Sequence, residues 1–296
     1  MDAPIHVPVM PAEVISMLMP SRGGYFVDCT VGLGGHSALI LESGADALLG
    51  LDRDEDALRI AAERLAVFGD RVELVHSDYR QLATVLDARN VSGVDGVLTD
   101  LGVSSMQLDA DGRGFTFRRD EPLDMRMDRS QGPTVADLLM DVEEEDLANV
   151  IFQFGEERHS RRIARAIVQQ VALGRIETTG ALAAIVRRAV PTRGYQRIDP
   201  ATRTFQALRI WVNRELEGLD TFLTDASRRL LTGARLVVIT FHSLEDRIVK
   251  HTFRAIAAAS DAWQVLTRKP MVPGEEEVAR NPRARSAKLR AIERLA

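Results

Sequence analysis

The stretch Asp28-Cys29-Thr30-Val31-Gly32-Leu33-Gly34-Gly35-His36-Ser37 places a carboxylate just ahead of a glycine-rich turn. Glycines there let the backbone turn tightly and approach a ligand, and a helix starting at the turn offers free N–H groups. Such a loop also serves NAD enzymes, or no ligand at all. Three further acids narrow the choice: Asp52, Asp78 in Ser77-Asp78-Tyr79, and Asp100 at the head of Leu101-Gly102-Val103-Ser104-Ser105. A carboxylate at Asp52 can accept both hydroxyls of a ribose. Ser77-Asp78-Tyr79 can supply contacts to an adenine. Asp28 suits an ammonium and suits a pyrophosphate poorly, which favours S-adenosylmethionine over NAD. Each Asp alone reads as a helix cap or turn former; four at successive strand ends form a more specific pattern.

With a sulfonium donor the methyl group is already activated, so the protein must align nucleophile, methyl and sulfur and keep water out. The segment Asp100 to Ser105 is expected beside the methyl, with Asp100 and Ser104 as the candidate catalytic residues. An aromatic amine such as cytosine N4 is a poor nucleophile, and an acceptor near it can hold its N–H groups in the attacking geometry. Methylation at cytosine C5 would need a thiolate. Cys29, the single cysteine, belongs to the first strand, away from the target side.

Alternating apolar runs and helical patterns must position these groups. Tyr25 to Thr30, Ala47 to Asp52, Val72 to Ser77 and Val94 to Leu101 read as strands, and Asp54 to Phe68 reads as a helix that Asp54 can cap. This is the pattern of repeated β-α units on a parallel sheet. After Leu101 comes a Gly- and Asp-rich loop and then helical pattern without strands to about Pro200. One helix is expected over Thr204 to Leu231, a strand over Ala234 to Phe241, a helix over Leu244 to Ala259, and a closing pair at Trp263 to Thr267 and Ser286 to Ile292. The expected fold is α/β, a Rossmann-like core from 1–104 and 201–296, with a helical insertion at 105–200.

Composition bounds the function. In 296 residues, 45% are hydrophobic and 27% charged, the balance of a globular protein. No apolar run reaches the length of a membrane helix, and the opening Met1-Asp2-Ala3-Pro4 has no signal-peptide pattern, so a cytoplasmic location and no membrane partner are expected. One cysteine forms no internal disulfide, and six histidines without ligand-like spacing give a metal site little support. The net charge of −5 hides a dipole. Asp120 to Glu157 holds 12 acids against two arginines, and Arg158 to Arg214 holds 12 arginines against two acids. The basic stretch can meet phosphates, or the two stretches can pair with each other.

Several segments resemble one family closely. They are His6-Val-Pro-Val-Met10, the Gly32 to Ser37 loop, Asp100 to Ser105, Arg113-Gly-Phe-Thr-Phe117, Pro122-Leu-Asp-Met-Arg-Met127, Gly155-Glu-Glu-Arg158, Ala201 to Ala207, Phe241-His-Ser-Leu-Glu-Asp-Arg247, Pro273 to Glu277 and Asn281 to Ser286. The chain resembles the bacterial methyltransferase H family, also called MraW, which methylates cytosine N4 in 16S ribosomal RNA. The resemblance implies a class I S-adenosylmethionine-dependent core, an insertion used in recognising RNA, and a target cytosine (position 1402) in the decoding region of the small subunit. It also implies donor contacts at Gly34, Gly35, His36, Asp52, Tyr79, Asp100 and Gln107, beside the Asp28 and Gly32 read from the loop itself. Asp100-Leu-Gly-Val103 lacks the prolines and stacking ring of many amine methyltransferases. A ring for the target base must come from elsewhere, with Phe115, Phe117, Tyr195 and Phe241 as candidates. The sequence leaves the oligomeric state open, a homodimer included. A nicotinamide dehydrogenase and a nonenzymatic RNA-binding factor are the rival classes, with protein or small-molecule methylation a third that the arginine-rich insertion disfavours.

Overall fold

Short apolar runs closed by turn residues become strands of one sheet. The computed structural model describes residues 8–103, 110–191 and 199–296. The chain divides into two units, Met1–Ser104 with Gly218–Ala296, and Ser105–Glu217. The first unit opens with α1 (Pro11–Leu18), β1 (Tyr25–Asp28), α2 (Gly35–Glu42), β2 (Ala47–Asp52), α3 (Glu55–Leu65), β3 (Val72–His76), α4 (Leu82–Asp87) and β4 (Val94–Leu101). The second supplies α5 (Val135–Asp141), α6 (Glu144–Gly155), α7 (Ser160–Val171), α8 (Thr179–Ala189) and α9 (Ala201–Asn213). The chain returns to the first unit through α10 (Leu219–Arg228), β5 (Leu230–Thr240), α11 (Ser243–Ala259), β6 (Trp263–Val265), α12 (Glu275–Arg280) and β7 (Lys288–Arg294).

The seven strands lie in the order β3-β2-β1-β4-β5-β7-β6. The first five run parallel, β7 is antiparallel to β5, and β6 is antiparallel to β7. This is the Rossmann-like class I architecture. Successive residues of the central strands point to opposite faces, and both faces are covered. Val27, Leu49, Val97, Leu236 and Val238 pack in one cluster with Leu82, Phe222, Val249 and Phe253 from α4, α10 and α11. Phe26, Leu48, Leu98, Val237 and Ile239 pack in another with Val14, Leu18 and Ile40 from α1 and α2. Burial on both faces is why these strands read as nearly continuous apolar runs. No helix of the described residues is long and apolar enough to cross a membrane.

Two sequence-based expectations change. The helix expected over Thr204 to Leu231 is two helices: Arg214 takes a left-handed conformation after α9, and Gly218 takes another ahead of α10. Leu230 already belongs to β5, paired with Val94, while Arg229 C=O accepts the Val94 N–H at 2.8 Å. The boundary between units falls at Glu217 rather than Pro200, because Phe205 and Leu208 of α9 join the helical core of Ile151, Ile163 and Leu182.

Within the second unit the motif-bearing loops form a scaffold. The buried Arg113 guanidinium donates to the carbonyls of Arg126 and Met127 at 3.3 and 3.1 Å. Asn213, at the end of α9, donates to the Met125 and Arg209 carbonyls at 2.7 and 2.9 Å and accepts from the Met127 N–H at 2.7 Å. Thr134 and Asp137 close a capping box at α5.

Candidate functional site

Strand order reverses at β1, which lies between β2 and β4, and open α/β sheets bind ligands beyond the carboxyl ends of strands at such a point. Asp28 is the last residue of β1, Asp52 the last of β2, and Asp100 the next to last of β4. The fold therefore gathers at one sheet edge three carboxylates far apart in sequence.

The glycine loop is tied down before any ligand arrives. Gly34 caps α2 at φ 75°, where a β-carbon is strained, and an added Cβ would lie 3.2 Å from Leu65. Val31 packs directly over β2, where a Cβ on Gly50 would meet it at 2.5 Å. The Gly32 N–H donates to Asp52 Oδ2 at 2.7 Å, and the Asp54 N–H to Asp52 Oδ1 at 2.8 Å. Asp28, fully buried, accepts from the Thr30 N–H at 3.1 Å and from the Ser37 hydroxyl at 2.7 Å. Each carboxylate oxygen can accept more than one hydrogen bond, so these contacts leave acceptor capacity for a ligand.

Asp100 is the unusual member. Its N–H donates to Thr30 Oγ1 at 2.6 Å, and its Oδ2 lies 3.8 Å from Nε2 of the buried His36. Oδ1 is buried with no hydrogen-bond partner among the described residues. Burial, then the charges of Asp28 and Glu245, push its carboxyl up to about 8. Asp28 is pushed up to about 6 by burial, against the hydrogen bonds of Ser37 and Thr30. Burial also raises Asp52, opposed by the Asp54 and Gly32 N–H groups. Three carboxyls with raised affinity for protons, Asp28 buried and Asp52 and Asp100 half-buried, make a site suited to a positively charged ligand.

Asp78 behaves differently. It lies beyond β3, caps the turn at Tyr79, and binds Arg80 at 2.6 Å with Arg53 at 3.8 Å. Burial would raise its carboxyl, but these guanidinium groups hold it below the usual carboxylate range. Tyr79 is buried with its ring 4.7 Å from that of Phe222. Gly35 opens α2 next to His36. Burial pushes the Cys29 thiol up, which removes it as a nucleophile near neutral pH. Ser104, Gln107, Tyr195, Arg193, Arg197 and His6 lie outside the described residues.

Of the candidate rings, the half-buried Phe241 follows β5 and lies over the segment after Asp100: a Cβ on Gly102 would meet it at 2.7 Å. Its N–H donates to Glu245 Oε2 at 2.9 Å, and Glu245 closes a capping box with His242 at the start of α11. Phe115 is buried, and Phe117 packs edge-on against Phe205 at 4.7 Å with Arg187 5.6 Å from its ring. Sequence reasoning missed Thr30 and Glu245. An S-x-x-E signal would have flagged the second, but a histidine takes the capping place here.

The arginines of the second unit are largely answered within it. Arg165 pairs with Glu144, Arg175 with Asp137, Arg187 with Asp199, Arg203 with Glu157 and Arg209 with Glu215, at 2.7 to 3.8 Å. Arg161, Arg162 and Arg188 are exposed and without a partner among the described residues.

Known proteins bear on this geometry. The model of the MraW methylase family matches residues 3–295. The chain is 51% identical over 290 residues to the ribosomal RNA small subunit methyltransferase H of Sorangium cellulosum, covering 98% of this chain and 91% of that protein. It is 50% identical over 307 residues to the protein of the same name from Bradyrhizobium diazoefficiens, covering 99% and 93%. A solved rRNA methylase from Streptococcus thermophilus aligns over 99% of this chain and all of that one, at 12% identity and a TM-score of 0.41, too distant to bear on the site. A match of this extent, over a sheet edge carrying the motif acids, means that the chain belongs to the MraW methylase family.

Proposed function

We propose that this protein transfers the methyl group of S-adenosylmethionine to the exocyclic N4 amine of a cytosine, position 1402, in the decoding region of 16S ribosomal RNA. The observation that carries the reading is Asp100, with a buried oxygen lacking a partner at the sheet edge of a MraW-family chain. Acting on small-subunit RNA accords with the names of the relatives at about half identity. The reaction takes place in the cytoplasm, on RNA within the small subunit.

The residues present fit the donor. Asp52 has acceptor capacity left for ribose hydroxyls, Asp28 for the ammonium, and the Gly32, Gly34, Gly35 and His36 turn allows close approach. Tyr79 is assigned a further donor contact, and the family resemblance assigns Gln107 to the donor and the sequence assigns Ser104 a catalytic role beside Asp100, both outside the described residues. When bound, the donor supplies a methyl group activated by its sulfonium. A cation beside Asp28 and Asp100 favours their ionised forms, so Asp100 changes from proton holder to acceptor as the site fills. Its free Oδ1 then holds an N–H of the target amine and turns the nitrogen lone pair toward the methyl. Phe241, lying on Gly102, supplies an apolar wall for an extruded pyrimidine. The helical unit, through Arg161, Arg162 and Arg188, meets phosphates.

The test is transfer of a tritiated methyl group to small subunits that lack this modification, followed by nucleoside analysis. N4-methylcytidine is expected. A C5 product, or label in protein, contradicts the reading, and a chain that does not bind the donor at millimolar concentration is an RNA-binding factor instead.

A further inference from the structure

A cleft of about 390 Å³ opens in the first unit between α11 and the edge formed by β6 and β7. Lys250 and Arg254 come from α11, one helical step apart and so on one face. Arg268 follows β6, and Arg290 lies on β7. The other lining residues are apolar or uncharged, among them Phe253 and Thr267, and no carboxylate lines the cleft. Arg290 is buried and donates to Asp246 at 2.6 Å, but Asp246 also holds Lys288 at 3.2 Å, so one carboxylate answers two cations. Lys250, Arg254 and Arg268 have no hydrogen-bond or ion-pair partner among the described residues. Arg254 and Arg268 are exposed, and Lys250 is half-buried.

Like charges gathered without counter-charges repel, and a protein keeps such a cluster against its own stability when an anion completes it. The contrast with the helical unit is direct. There the arginine-rich sequence is mostly answered by its own acids, whereas here four basic residues drawn from three elements converge with one shared carboxylate nearby. Lys250 and Arg254 are near neighbours in the chain but Arg268 and Arg290 are not, so no short sequence window reveals the four together. At about 390 Å³ the cleft has room for more than one phosphate group, and it is edged by exposed guanidiniums, which suits sugar-phosphate better than a lone ion. Its apolar wall at Ala257 and Val265 offers a surface for ribose.

We propose that this cleft is a second RNA-contact site, in which Lys250, Arg254, Arg268 and Arg290 clamp backbone phosphates of the substrate RNA. The inference rests on RNA being the substrate. It places part of the docking energy on the catalytic unit itself, as sequence-independent contacts that set register rather than choose the base.

The experiment measures binding of the full-length protein to transcribed, unmodified small-subunit rRNA across a salt series. The triple variant Lys250→Gln, Arg254→Gln, Arg268→Gln is compared with wild type and with the charge-keeping variant Lys250→Arg, Arg254→Lys, Arg268→Lys. Loss of three phosphate contacts is expected to weaken binding at least tenfold at physiological salt and to flatten the slope of log affinity on log salt by about two to three. The charge-keeping variant should bind as wild type. Donor binding should be unchanged in both, and melting temperature should be unchanged in the charge-keeping variant and equal or higher in the triple variant, where the repulsion is relieved. Unchanged affinity and slope in the triple variant, while wild type binds and methylates the RNA, overturn the cleft and leave the proposed reaction standing. Saturable binding of inorganic phosphate at the cleft with RNA affinity unchanged also overturns it. A wild-type protein that neither binds nor methylates rRNA overturns the proposed reaction, and the cleft reading falls with it.

Discussion

Replacing Asp100 by Asn isolates the most unusual electrostatic feature of the site. In the donor-free fold the Asp100 carboxyl is pushed up to about 8, by burial first and then by Asp28 and Glu245. In the unfolded chain it titrates near the ordinary value of about 4. Between those values the folded chain holds a proton that the unfolded chain has released, so stability falls as pH rises through that window. One such site costs up to about 1.4 kcal/mol per pH unit. From pH 5 to 7.5 that is at most about 3 kcal/mol, and local relaxation reduces it to about 2. For a chain of this size a kilocalorie moves the midpoint by about 2 to 4 °C. The substituted amide would stay neutral throughout while keeping the shape and donor capacity of a protonated carboxyl. The melting temperature of donor-free wild type should therefore fall by roughly 4 to 8 °C more than that of Asp100→Asn over this range. Asp28, pushed up to about 6, contributes its own fall below that pH in both proteins. Scanning fluorimetry of donor-free protein reads the difference. Parallel pH profiles for the two would refute the assignment of a raised carboxyl to this position.

Other perturbations probe separate links of the chain. Asp52→Ala removes both the proposed ribose acceptor and the bond to the Gly32 N–H, so donor affinity by calorimetry should fall about 10- to 100-fold, with the strands intact by circular dichroism. Gly34→Ala forces a β-carbon at φ 75° within 3.2 Å of Leu65; a loss of about 1 to 2 kcal/mol in denaturant unfolding, with weaker donor binding, is expected. Asp100→Ala should weaken donor binding and lower turnover by orders of magnitude in the tritium assay, and near-normal turnover would remove this residue from the mechanism. Asn213→Ala strips bonds to Met125, Met127 and Arg209 inside the helical unit. It should cost about 2 to 4 kcal/mol there, read as lost hydrogen-exchange protection at 123–127 with β1 to β4 unaffected.

Strands buried on both faces carry a strong local signal, and β2 and β4 match the sequence reading at both ends because Ala47, Asp52, Val94 and Leu101 are bounded by turn residues. Asp54 caps α3 as its type and place suggest. The junction at Arg214 to Gly218 was hidden because apolar residues keep helical spacing across it; a left-handed arginine leaves no compositional mark. The start of β5 at Leu230 depends on pairing with Val94, a tertiary fact. At the site, the strand-end acids were legible because parallel sheets put catalytic groups there. The environment of each acid was not: Asp28 and Asp100 share type and position, yet only Asp100 keeps an unpartnered buried oxygen. The arginine stretch shows the same limit, since its sequence leaves phosphate contact and internal pairing both open, and only the structure shows Arg165 and Arg187 paired.

The central claim is that the sheet edge carrying Asp28, Asp52 and Asp100 holds the methyl donor with its reactive carbon toward the Asp100 to Gly102 segment. A crystal structure of the protein with S-adenosylmethionine tests this most directly. The ribose hydroxyls are expected on Asp52, the ammonium beside Asp28, and the methyl carbon facing Asp100. A donor bound at another edge of the sheet, or turned so that its methyl points away from Asp100, contradicts the account.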